Sequence, residues 1–209
     1  MDIATIDKKW KAWVRGKGHI RQKLYRTYKR KSDRFLTTHA ASEAALRRVL
    51  FVGLRMNKVT YRLADEWIRG HHITFGKKYG SGKFVTFFDR LFMEDWETLL
   101  DSTEDLRDLW FLWNDYAKPI RNHLAHALRK YSDEWLDTAL ATDRLFMMQL
   151  DKAIKPVIGG TPFAHLKYLS PRLSRGDISV TPEKVLNIKK NPPRPIISLT
   201  DAKARLGRL

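Results

Sequence analysis

The sequence predicts an all-α fold, a helical bundle with a basic extension at each end. Apolar residues recur every three or four positions through most of residues 36–155, which is the spacing of one buried helix face. Runs that alternate apolar and polar residues, as half-buried strands do, are scarce. The chain is 43% hydrophobic, which is enough to build a sizeable core.

Residues 1–35 predict a basic helical extension of the bundle. The apolar side chains of its first helix fall at near-helical spacing, at Ile3, Ile6, Trp10 and Trp13. Residues 19–31 predict a second helix, in which Lys and Arg surround a thin apolar stripe. Such a helix is suited to lie along RNA or to dock on the bundle. The same pattern is typical of helices that bind calmodulin or a membrane surface.

The bundle, residues 36–155, is predicted to begin with a long helix. Thr37 or Thr38 is expected to cap its start, and Gly70 is expected to end it. Gly53 lies inside this helix, where a glycine costs about 1 kcal/mol relative to alanine. We therefore expect another helix to approach closely at that position.

The middle of the bundle is predicted to be a glycine-rich loop followed by two helices. An aromatic-rich helix is expected over residues 83–99, as part of the core or as a dimer face. Ser102 with Asp105 three residues later resembles a capping box, which favours a second helix over residues 103–117.

The last part of the chain is predicted to be one more helix and a basic tail. Pro119 is expected to kink or restart the chain, and Ser132 to cap a helix that ends near residue 155. Residues 156–209 hold every proline except Pro119. We expect this tail to be mostly irregular, with a short strand at residues 178–180, and to wrap around the bundle or a partner chain.

The positive charge lies in the two extensions. The whole chain carries a net charge of +17. Residues 1–34 contain 12 Lys and Arg against 3 acidic residues, and residues 156–209 contain 10 against 3, whereas residues 35–155 contain 18 against 17. Basic segments with interspersed aromatic residues are typical of nucleic-acid binding. Attraction to anionic lipid is the alternative.

The residue types with the clearest chemistry lie in the segment from Arg121 to His126. Histidine moves protons near neutral pH, and arginine grips phosphate with two N–H groups. On one regular helix the two residues diverge by roughly 140°. They meet only if Pro119 starts the helix, which leaves Arg121 among the free N–H groups of its first turn, or if a symmetry mate brings the second motif close.

The pattern Arg121-Asn122-x-x-x-His126 resembles the R-x4–6-H signature of HEPN domains, and the resemblance covers about residues 36–155. It implies an all-helical homodimer that cleaves RNA without metal, often within prokaryotic toxin–antitoxin or antiviral defence. It also implies that Arg121 and His126 are catalytic and that Asn122 orients the site. The predicted substrate-binding residues are His123, Arg129 and Lys130. Leu128 stands where some of these toxins carry a modified tyrosine.

Other functions remain open from the sequence. The alternatives are a non-catalytic nucleic-acid-binding protein and an assembly subunit that binds an acidic protein or an antitoxin. His123 and His126, three apart, can face a metal ion, but no acidic third ligand stands at a telling spacing, so no metal or cofactor is predicted. The chain has no cysteine, no apolar run of about 18 residues and no apolar start typical of a signal peptide. A cytoplasmic protein without a membrane span is expected.

Overall fold

The computed structural model describes residues 2–17, 30–76, 83–163, 180–188, 200 and 203–204. These residues form nine α-helices of five residues or more, one π-helical turn and no strand, so the all-α prediction is confirmed for the part described. The helices are α1 (Ile3–Arg15), α2 (Lys31–Met56), α3 (Tyr61–Gly70), α4 (Phe84–Phe92), α5 (Trp96–Asp101), α6 (Leu106–Leu112), α7 (Lys118–Ala125), α8 (Asp133–Ile158) and α9 (Pro182–Leu186).

The two longest helices, α2 and α8, pack along each other at the centre of the molecule. Helices α3, α4 and α7 contact α2, and helices α1 and α6 contact α8. Each of the two central helices has 26 residues, so both span about 39 Å. No helix in the described ranges is long and apolar enough to cross a membrane.

Helix α1 forms as predicted and belongs to the packed core. The side chain of Asp2 accepts a hydrogen bond from the Thr5 N–H at 2.9 Å, which caps the helix start. Ile6, Trp10 and Val14 follow one another at four-residue spacing and are buried, the last two in a cluster with side chains of α2 and α8. The second basic helix was predicted over residues 19–31, most of which lie outside the described residues.

Helix α2 was predicted to begin at Thr37 or Thr38 and to continue to Gly70, but its start and its continuation beyond Met56 are both wrong. It begins earlier, and Thr38 lies inside it with its hydroxyl donating to the Arg34 carbonyl at 2.9 Å. It also stops at Met56, because Lys58 takes a left-handed conformation with φ 64°. Thr60 then caps α3 by accepting from the Leu63 N–H, and α3 ends at Gly70 as predicted.

Gly53 marks a close approach of α4 to α2, as its position inside the helix predicted. A Cβ atom built at Gly53 lies 2.9 Å from the Cβ of Leu91 and 2.9 Å from the ring of Phe92. Real carbon atoms do not come so close, so any larger residue forces α4 outwards.

We therefore expect Gly53→Val to lower the free energy of unfolding by about 2–3 kcal/mol, since overpacking a well-filled core costs that much. The measurement is chemical denaturation. Gly16→Val is the matched control, because Gly16 is exposed, has φ −83° and leaves a Cβ at 3.7 Å from its nearest neighbour. Equal losses in both variants would show that the contact with α4 carries no energy.

The helix predicted over residues 83–99 is two helices. Met93 takes a left-handed conformation with φ 52° and ends α4, and Asp89 then accepts from the Trp96 N–H at 2.8 Å. The capping signal at Ser102 is also wrong, because its hydroxyl donates backwards to the Leu99 carbonyl at 2.7 Å. The next helix, α6, begins after Asp105 with φ 66° and no side-chain cap.

The described part of the tail contributes a short helix, which the sequence reading did not predict. Thr181 caps α9 by accepting from the Lys184 N–H, and Leu186 is fully buried. Arg90 of α4 donates to the Leu186 carbonyl at 2.5 Å. This segment of the tail therefore packs against the helical core. The strand predicted at residues 178–180 lies mostly outside the described residues.

Candidate functional site

The motif helix α7 continues directly from α6 through a π-helical turn, Trp113–Ala117. Ala117 has helical dihedral angles, so Pro119 neither kinks the chain out of the helix nor begins a new one. A π turn is wider than an α turn and tolerates a proline whose ring clashes in a regular helix. The N–H groups around Arg121 are therefore not the free ends of a helix, and that part of the prediction is wrong.

Arg121 is held on both sides by side chains of its own protomer. One guanidinium nitrogen donates to Asn122 Oδ1 at 2.8 Å, and another donates to Glu43 Oε2 at 2.5 Å. Glu43 lies on α2, so this ion pair joins the motif helix to the central helix. The Arg121 side chain keeps 30% of its surface exposed, so it is not sealed inside the bundle.

Behind Glu43 lies a buried polar chain that the sequence analysis missed. Glu43 Oε1 is 3.8 Å from His39 Nε2, and His39 Nδ1 is 3.0 Å from Asp143 Oδ1. His39 and Asp143 are both fully buried. The 3.8 Å separation is too long for a hydrogen bond, and His39 Nε2 has no hydrogen-bond partner among the described residues. The polar groups therefore lie in a row from the centre of the bundle to the partly exposed Arg121.

Aromatic packing fixes the buried end of this polar chain. The His39 ring lies parallel to the Trp113 ring, with centroids 4.9 Å apart and planes 7° apart. The Trp113 indole N–H donates to the Ser42 hydroxyl at 3.0 Å, and that hydroxyl donates to the His39 carbonyl at 2.7 Å. The π-helical turn thus presents Trp113 to α2.

Burial raises the pKa of the Asp143 carboxyl, and the neighbouring His39 opposes this shift without cancelling it. A carboxyl removed from water favours its uncharged form unless a cation compensates fully. Buried polar groups of this kind are costly, and in folded proteins they persist where they hold a specific arrangement or serve a site. Here the buried His39 and Asp143 lie behind Glu43, which binds Arg121.

His126 lies at the other end of α7 and faces solvent. It forms the C-terminal cap, with its backbone N–H donating to the Asn122 carbonyl at 3.0 Å. Its side chain is exposed and makes no hydrogen bond or ion pair with the described residues. Arg121 binds Glu43 on α2, whereas His126 is exposed and has no partner among the described residues, so no contact within one protomer joins the two predicted catalytic groups.

The three predicted substrate-binding residues have different environments. His123 shares a hydrogen bond of 2.5 Å with the Tyr131 hydroxyl and lies parallel to that ring. The Arg129 guanidinium lies 5.3 Å from the centroid of the Tyr131 ring. Arg129 and Lys130 are exposed, whereas His123 is half-buried. Two of the three are therefore freely accessible.

Large apolar side chains are exposed at the same end of the molecule. Leu128 is 70% exposed and Trp135 is 45% exposed. Trp135 packs on Tyr116 with ring centroids 5.5 Å apart. Exposed apolar groups that lie together often mark a surface that another protein covers.

Besides Arg121, other cations lie near Glu43. Arg47 lies one helical turn after Glu43 on α2, and Lys118 lies one turn before Arg121 on α7. Burial is the main cause that lowers the pKa of both cations, with Glu43 acting in the opposite direction and Arg121 adding to the decrease. The positive charge of Lys83 also lowers the pKa of Lys118. Three cations, Arg121, Arg47 and Lys118, therefore lie near the Glu43 carboxylate.

The sequence has no detectable relative in the comparisons. No protein-family model, no curated protein and no solved structure matches this chain. The candidate site therefore stands on its own geometry. Within the described ranges, no group of three or more His, Asp or Glu side chains is placed to hold a metal ion.

Proposed function

We propose that the protein is a metal-independent endoribonuclease of the HEPN type, active as a homodimer. The observation that carries the proposal is the fixation of Arg121 by Glu43, in front of the buried His39–Asp143 pair, with 30% of the Arg121 side chain exposed. An exposed histidine with no partner in the described residues lies five positions later on the same helix. Arginine and histidine are the residue types that RNA cleavage through the 2′-OH needs.

The proposed reaction uses the nucleophile that RNA itself carries. His126 takes the proton from the 2′-OH, whose oxygen attacks the neighbouring phosphorus. Arg121 stabilises the negative charge that grows on the phosphate oxygens. The bond to the 5′-oxygen breaks and this oxygen takes up a proton, so the products are a 2′,3′-cyclic phosphate and a 5′-OH.

In the proposed homodimer, Arg121 of one chain and His126 of the other form one active site. Because no contact joins Arg121 and His126 within one protomer, we place a two-fold axis near α7, which brings Arg121 of one chain to His126 of the other. The exposed Leu128, two residues after His126, and the exposed Trp135, which packs on Tyr131, support a contact at this end. Asn122 then orients Arg121, and Arg129 and Lys130 contact the RNA backbone.

The biological setting follows from the same resemblance and stays part of the proposal. A cytoplasmic RNA-cleaving toxin is expected to act in prokaryotic defence, with an antitoxin or another regulatory protein that restrains it. Leu128 stands in the position of the modified tyrosine of some HEPN toxins, so restraint by that modification is not expected here.

The test is cleavage of total RNA in EDTA by the wild-type protein and by an Arg121→Ala, His126→Ala double variant. We expect the wild type to cut RNA and the double variant to be inactive, with cyclic phosphate ends on the products. The control is Arg62→Ala, because that side chain is 82% exposed on α3 and is expected to leave activity unchanged. Equal cleavage by the wild type and the double variant would reject the proposal.

A non-catalytic nucleic-acid-binding protein is the second candidate. The observation in its favour is the ion pair with Glu43, which partly neutralises the charge of Arg121. This candidate predicts tight, salt-sensitive binding without cleavage. It also predicts that removal of residues 1–34 abolishes binding, whereas His126→Ala leaves binding unchanged.

A further inference from the structure

Arg47 lines an open pocket beside the candidate site that the motif residues do not touch. The pocket has a volume of about 520 Å³ and lies between α2, the end of α3 and the residues that follow it. Its lining consists of Arg47 and residues 68–72. Because Arg47 is one turn along α2 from Glu43, about 6 Å, the pocket begins close to Arg121.

Phe75 connects the pocket to the motif helix. The Arg47 guanidinium lies over the Phe75 ring, 5.4 Å from its centroid. The Phe75 carbonyl accepts a hydrogen bond from Lys118 Nζ, on α7. Arg47 and Lys118 are therefore fixed on the two sides of one residue.

The charge of Arg47 is poorly compensated within the chain. Its side chain makes no hydrogen bond to another described residue, and Glu43 is the acidic group that acts on it. Glu43 already binds Arg121 at 2.5 Å. A half-buried guanidinium that has no carboxylate of its own among the described residues suits an anion, since its N–H groups form charge-assisted hydrogen bonds.

Two other features of the pocket have opposite effects on the binding of an anion: the C-terminal end of α3 disfavours it, and the two histidines favour it. The C-terminal end of α3 carries about half a negative charge, which disfavours an anion, and Arg69 is already paired with Asp65 at 2.8 Å. The carboxylate of Glu183 acts on His71 and also disfavours an anion, whereas the full charge of Arg47, which lines the pocket, favours one. His71 and His72 add ring N–H groups, which donate hydrogen bonds to phosphate oxygens without a further charge.

We propose that this pocket binds an RNA phosphate next to the scissile one, with Arg47 as the residue that grips it. The proposal rests on the proposed function, because RNA is taken as the ligand. Arg121 and Arg47 both lie beside Glu43, so they are placed to contact neighbouring phosphates of one strand. Arg47 thus becomes a binding residue that positions the chain rather than a group that reacts.

The test is binding of a fluorescent 2′-O-methyl RNA, measured by anisotropy at several salt concentrations. We expect Arg47→Met to weaken binding by about 10-fold, as loss of a charge-assisted phosphate contact does. The slope of log affinity against log salt is expected to become less steep by about 0.7, the value for one phosphate of a single strand. Methionine keeps an apolar stem over Phe75, so packing is largely preserved.

Arg62→Ala is the matched control and is expected to leave both affinity and slope unchanged. Arg47→Lys keeps the positive charge but loses the planar guanidinium that binds phosphate with two N–H groups. It should therefore retain the slope of log affinity against log salt and lose part of the affinity. Wild-type affinity and slope in Arg47→Met would overturn the proposal. It would also be overturned if the substitution weakened binding of inorganic phosphate alone and left RNA binding unchanged. Because 2′-O-methyl RNA has no free nucleophile, none of these results depends on whether the protein cleaves RNA.

Discussion

A one-to-one mixture of Arg121→Ala and His126→Ala chains is expected to recover about a quarter of the wild-type cleavage activity. Each variant alone is expected to lose at least about 100-fold, since loss of a charge stabiliser or of a general base costs that much. In the mixture half of the dimers are heterodimers, and each of these has one site with both residues intact. Recovery therefore reports directly that the two groups come from different chains.

The mixing experiment needs proof that the chains exchange. Two different affinity tags allow the heterodimer to be isolated and assayed, and its activity should be about half that of the wild type. A mixture of either single variant with the double variant is the control, because no site in it has both residues. If isolated heterodimers stay inactive while the wild type cleaves RNA, the composite site is wrong.

Most of the helices were predictable from the sequence, but α9 and several helix ends were not. Apolar spacing gave α1 and the buried faces of the central helices, because burial repeats along a helix with a fixed period. The wrong boundaries lie at Lys58, Met93 and Asp105, which take left-handed conformations with φ of 64°, 52° and 66°. These residues carry no turn signal comparable to glycine, so the tertiary packing and not the local sequence sets these breaks.

The candidate site was only half visible in the sequence. Arg121, Asn122 and His126 stand close together in a motif, and the structure places them on one helix. His39 and Asp143 were missed because they are separated by about a hundred positions and lie within apolar helix faces. The spacing of His39 and Glu43, four residues apart on one face of α2, was the sequence feature from which this part of the site could have been predicted.

Asp143→Ala is expected to lower the free energy of unfolding by about 3–5 kcal/mol. The substitution leaves His39 Nδ1 without its partner in a fully buried position, and breaking a buried polar pair on one side costs about that much. Chemical denaturation measures the loss. Asp133→Ala is the control on the same helix, since Asp133 is 76% exposed and its removal is expected to cost less than about 1 kcal/mol.

Replacing both members of the pair separates stability from positioning. In a His39→Phe, Asp143→Ala double variant neither member of the pair is left behind without its partner, so we expect at least about 2 kcal/mol of the lost stability to return. RNA cleavage is not expected to return with it, because Glu43 loses its contact with His39 and holds Arg121 less firmly. A double variant that regained stability and full cleavage together would show that the buried pair serves only the fold. A single Asp143→Ala variant as stable as the wild type would show that the pair is not coupled at all. The expected result, a stable protein with a poorly held guanidinium, would explain why this chain keeps a costly carboxyl and imidazole in the middle of an apolar core.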